Sequence, residues 1–94
     1  MVVAISNFIV NNEEAQELAA RFSRRSRKVD EHAGFLGLEV LSRVTRRGTS
    51  FLLVTRWTSR DALRAYLTSE DFKAVHQESI EQNADFAVYE VVTK

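Results

Sequence analysis

Ninety-four residues suffice for one small domain with a single hydrophobic core, residues 1–94 without an internal boundary. Thirteen basic residues balance thirteen acidic ones, so there is no net charge to draw in nucleic acid or an anionic membrane, and neither is expected as a partner. Cysteine is absent, which excludes disulfides, thiolate nucleophiles and thiolate metal sites such as zinc fingers and iron–sulfur clusters.

The apolar opening MVVAISNFIV is too short for a membrane span, lacks a basic leader and contains Asn7, so it reads as a strand and a cytoplasmic protein is expected. Val2 to Val10 are nearly all β-formers with apolar groups on both sides, which implies that both faces of this strand are covered. Asn7 interrupts the run. Two readings stand for it: an amide bonded to a neighbouring strand, or a donor aimed into a pocket.

Asn11-Asn12 marks a turn and a helix cap, and Glu13, Glu14 and Glu17 populate the first turns of a long helix expected to run on towards Gly34. Its stripe reads Ala15, Leu18, Ala19, Phe22, Arg25, Val29, so a guanidinium stands where the period calls for an apolar group. Arg21, Arg24, Arg27 and Lys28 surround it, as cations suit a helix C-terminus and long stems reach water. Arg25 and Arg21 flank the Phe22 face and are the candidates to hold an anionic group. His32 lies in a polar turn and reads as solvated, and Gly34 supplies a positive φ at the end of the helix.

Phe35 to Val44 alternates, with Leu36, Leu38, Val40 and Val44 on one face and Phe35, Gly37, Glu39, Leu41 and Arg43 on the other. Gly37 inside this strand suggests a bulge. Arg46-Arg47-Gly48 turns the chain into a strand over Phe51 to Trp57. Ser59 and Ser69 then cap two short helices. The second carries Phe72, Val75, His76 and Ser79 at the spacing of one helical face. His76 is either a core histidine bonded to a backbone carbonyl or a neutral imidazole presented to a metal. Asn83-Ala84-Asp85 leads into a last strand, Phe86 to Val92.

The order β-α-β-β-α-α-β matches an α+β, ferredoxin-like split βαβ fold, an antiparallel sheet with helices on one face. The first, third and fourth strands are apolar on both sides, so the second face calls for another sheet, most simply from an identical subunit.

Asn7, the Gly34-Phe35-Leu36-Gly37 turn, Trp57-Thr58-Ser59, Ala65-Tyr66-Leu67-Thr68-Ser69, Phe72-Lys73 and His76 together resemble the antibiotic biosynthesis monooxygenase superfamily of dimeric α/β barrels. Within it the chain is most similar to bacterial heme-degrading monooxygenases of the IsdG type. The resemblance implies a homodimer in which His76 is the axial ligand of heme iron and Asn7 hydrogen-bonds oxygen activated there. Heme would be both substrate and cofactor, cleaved with O2 and an external electron donor, a reductase or ascorbate, to release iron. Phe22 would line the porphyrin, Arg25 with Arg21 would pair with a propionate, and Trp57 would be core or pocket wall. Where that family carries a tryptophan that presses on the porphyrin, this chain has Tyr66, a smaller side chain with a hydroxyl. Trp57-Thr58-Ser59 and the run Ser69, Phe72-Lys73, His76 also occur in superfamily members that are not heme enzymes, whereas Asn7 together with His76 favours heme. In a cofactor-free member acting on a quinol or polycyclic aromatic, Asn7, Tyr66, His76 and Trp57 would orient the substrate. A heme carrier without turnover is the third possibility. No second histidine or carboxylate lies at ligand spacing near His76, which argues against a hydrolytic metal centre.

Overall fold

The computed structural model describes residues 1–77 and 85–94, and of residues 74–77 the backbone alone. Strand β1 (Val2–Val10) leads to helix α1 (Asn12–Ser23), a 3-10 turn (Lys28–Glu31), β2 (Phe35–Thr45), β3 (Gly48–Trp57), α2 (Arg60–Leu67), α3 (Glu70–Gln77) and β4 (Asp85–Glu90). The sheet has the order β2-β3-β1-β4, and every pairing is antiparallel. Hydrophobic β1 and β3 therefore occupy the centre, where each is paired on both edges, and the expected α+β ferredoxin-like arrangement is present.

Cross-strand partners share a face of the sheet, and the register sorts the residues into two sides. Val2 pairs with Trp57 and Ala4 with Thr55. Val2, Ala4 and Trp57 are buried together with Val29 and Leu63, and Phe35, Leu38, Tyr66, Leu67 and Val88 pack around them. This is the helix-covered side. Trp57 has no exposed surface, and its indole Nε1 donates to Thr55 Oγ1 at 3.0 Å, so burying the ring strands no polar atom.

Three expectations about elements require correction. The first helix stops at Ser23, with Val29 reached through the separate 3-10 turn. Between Phe22 and Val29 the chain offers only serines and cations, which give a continuing helix nothing to bury, and Ser23 Oγ bonds back to the Ala19 carbonyl. In β2 the bulge expected at Gly37 is present, between Phe35 and Gly37. The extra residue brings Phe35 onto the same side as Leu38, opposite Trp57, and leaves Leu36 half exposed, so the simple alternation fails at the strand's start. The last strand ends at Glu90, after which Val91 N donates to the Met1 carbonyl. The turn expected at Asn83-Ala84 falls outside the described residues, as does Ser79.

Gly34 sits at a close approach between two elements. At φ +85°, a Cβ there would run into Ala62 Cβ and lie 2.7 Å from Thr58 Oγ1, while Thr58 N donates to the Gly34 carbonyl at 2.8 Å. The turn into β2 and the start of α2 are locked together by a residue without a side chain. The other side of the sheet carries Ile5, Ile9, Leu41, Leu52 and Tyr89; Ile9 is 58% exposed, Leu41 48% and Tyr89 56%. No helix among the described residues is long and apolar enough to cross a membrane.

Candidate active site

The helices sit over different ends of β3 and leave its middle half open. At one end α1 packs through Phe22, whose ring lies 6.0 Å from Phe51 and 6.2 Å from Phe8, while Phe8 and Phe51 stack at 5.7 Å. At the other end α2 presents Tyr66, stacked on Trp57 at 5.2 Å with the planes 26° apart. Phe51 and Trp57 are separated by roughly 20 Å of strand at the usual rise per residue. Between them, on the helix side, the row Val40, Leu53, Ser6, Phe86 crosses all four strands. Val40, Leu53 and Ser6 are only half buried, and Phe86 is 46% exposed. An apolar shelf with aromatic walls at both ends is the surface that takes a flat hydrophobic ligand.

Tyr66 forms one wall and is held from three sides. Besides Trp57 behind it, the His32 ring meets it edge-on at 4.9 Å and the Phe72 ring at 5.4 Å. Phe72 belongs to the first turns of α3, a helix capped by Ser69, whose Oγ accepts from Phe72 N at 3.2 Å and donates to the Tyr66 carbonyl at 2.6 Å. Residue 76 follows Phe72 by one helical turn; the His76 side chain lies outside the described residues.

The remaining candidates divide. Asn7 pairs with Leu52 and Asp85, so it lies on the side of the sheet away from Tyr66, exposed, with its Oδ1 accepting from Ser50 Oγ at 3.4 Å. It is not brought together with Tyr66. The polar residue that β1 offers to the helix side is Ser6, one position earlier. Phe22 faces Phe8 and Phe51 and closes the far wall. Arg25 is largely covered and already paired, its Nη1 3.3 Å from Asp30 Oδ1 and 3.3 Å from the Ser26 carbonyl. Arg21 is exposed and makes no ion pair among the described residues. Trp57, expected as core or pocket wall, is core: with no exposed surface it reaches a ligand only through Tyr66.

Sequence reasoning missed Ser6 and misjudged His32. Ser6 was hidden because β1 is apolar on both sides, so alternation defines two faces without saying which one the helices cover. His32 is half buried, not solvated, with Nε2 3.0 Å from Asp71 Oδ2. The two residues are 39 positions apart, and no local pattern in the sequence signals such a bond. Among the described residues no group of three or more histidines and carboxylates could hold a metal ion by itself.

Residues 1–78 match the family model of antibiotic biosynthesis monooxygenases. The chain belongs to that family. Among curated protein sequences none matches it. Among solved structures, this family member is similar to the heme-degrader MhuD of Mycobacterium tuberculosis with two hemes bound in its active site. The identity is 28%, the TM-score 0.79, and the match covers 100% of this chain and 98% of that one. A point mutant of MhuD with two manganese protoporphyrin IX bound per active site matches at 28% identity and TM-score 0.81, over 100% of this chain and 97% of that one. SnoaB, a cofactor-independent oxygenase from Streptomyces nogalater, shares the fold at TM-score 0.74 and 20% identity, over 99% of this chain and 94% of that one.

Proposed function

We propose that this family member is a heme-degrading monooxygenase that binds heme on the helix side of the sheet and cleaves the porphyrin with O2 and electrons from an external donor, releasing iron. The observation that carries the reading is the half-open row Val40, Leu53, Ser6, Phe86 between two aromatic walls. It fits a flat, mostly apolar ring. The likeness to heme-bound MhuD along the whole chain supports heme as that ring, whereas the likeness to SnoaB extends to the fold alone.

In this reading His76, carried by α3, is the iron ligand, and bound heme supplies the oxygen chemistry. The chain's own residues orient it. Tyr66, stacked on buried Trp57, is a rigid wall that fixes one edge of the ring, and Phe22 with Phe8 and Phe51 fixes the other. Ser6 replaces Asn7 as the polar group that β1 turns towards the ligand. Arg21, exposed on α1, is the cation for a propionate, because Arg25 already serves Asp30. The reading includes a homodimer: helices cover one side of the sheet, and the apolar side bearing Ile9, Leu41 and Tyr89 is then covered by its counterpart in a second copy.

A hemin titration followed by ascorbate or a reductase under air tests the proposal. The expected result is a Soret band saturating near one equivalent per chain, then lost as iron appears in a ferrous chelator. A Soret band that survives reductant and air makes the protein a carrier. Failure to bind hemin overturns the reading in favour of a cofactor-independent oxygenase acting on a quinol or polycyclic aromatic.

A further inference from the structure

We infer that His32 and Asp71 form a latch that sets α3 against the Tyr66 wall, making His32 a positioning residue for the ligand which that helix receives. The consequence for heme rests on the reading above; the latch itself does not. An isolated helix of a few turns is marginal in water, so α3 depends on its contacts with the rest of the fold. α3 follows α2 after only Thr68 and Ser69, and Phe72 against Tyr66 anchors one point of it. A second point is needed to fix its rotation.

Asp71 supplies that point. An acid in the first turn is ordinarily explained by the helix dipole, but its Oδ2 lies 3.0 Å from His32 Nε2, a group on a different part of the chain. This side-chain hydrogen bond ties α3 to a part of the chain 39 positions earlier. The His32 end is firm. Its backbone N donates to the carbonyl of buried Val29 at 3.1 Å, and its own carbonyl accepts from Phe35 N at 3.2 Å at the start of β2. The imidazole also lies edge-on against Tyr66, so one side chain touches both the wall and the helix that faces it. A shift of His32 therefore moves α3 and Tyr66 relative to each other, and a ligand bound against both senses the change.

Hydrogen–deuterium exchange on the heme-free protein reads the latch directly. His32→Ala is expected to speed exchange of the Glu70–Gln77 amides about fivefold, the effect of losing one partly exposed hydrogen bond, with the β1 and β3 amides unchanged. His32→Gln, which keeps an N–H donor at a similar reach, restores slow exchange, and Asp71→Ala reproduces the loss from the more exposed partner. Unchanged exchange in α3 for both alanine variants overturns the latch. Hemin affinity reads the positioning role: His32→Ala weakens binding about fivefold in the wild-type background and adds nothing in His76→Ala, because the loss acts through α3. Independent, additive losses overturn that role. Wild-type protein that fails to bind hemin sinks the heme reading and leaves the exchange result standing.

Discussion

Trp57 backs the Tyr66 wall from within the core. Its ring has no exposed surface and backs Tyr66, so Trp57→Ala is expected to cost about 3–5 kcal/mol in urea unfolding followed by circular dichroism. A loss below about 1 kcal/mol would mean that the surrounding residues close the cavity. Gly34 is the second residue with a sharp expectation. Gly34→Ala places a methyl against Ala62 and Thr58 at a positive φ, and should lower stability by roughly 1–3 kcal/mol. Both roles were legible in part from the sequence: the glycine from its place at the end of a helical segment, the tryptophan only as core or wall. Ser6 and Asn7 show where such reading stops. Adjacent residues in a strand face opposite ways, yet with apolar groups on both sides of β1 only the packing of α1 and α2 decides which of the two meets the site.

Elements were more legible than their boundaries. The order of strands and helices follows from apolar periodicity and from serine and asparagine caps, and each cap is made in the structure: Asn11 Oδ1 accepts from Glu14 N at 2.8 Å, and Ser59 Oγ from Ala62 N at 3.1 Å. Asn11→Ala should therefore cost about 1 kcal/mol, measured as a lower urea midpoint with unchanged slope. The end of α1 was misread because Val29 falls on the helical period by coincidence, the chain reaching the same core through a 3-10 turn. That break shapes the surroundings of Tyr66. It brings Asp30 to Arg25 as an ion pair and His32 to Asp71 as a hydrogen bond, contacts that a continuous helix would point elsewhere.

At the scale of the whole molecule, helices pack on one side of the sheet and the other carries exposed apolar side chains. Ile9, Leu41 and Tyr89 form an exposed apolar set, crossed by the Arg56–Glu39 pair at 3.6 Å. A second copy covering it predicts a dimer by light scattering, and Leu41→Glu should shift the population to monomer by placing an unpaired charge in the covered face. A monomeric wild type would contradict the barrel. The helix side offers the shelf between Tyr66 and Phe22, and the account stands or falls on whether α3 delivers an iron ligand to it. The direct measurement is the Soret spectrum of hemin added to wild-type protein and to His76→Ala. The account predicts a histidine-ligated spectrum that is lost in the variant, and the same spectrum in both proteins would contradict it.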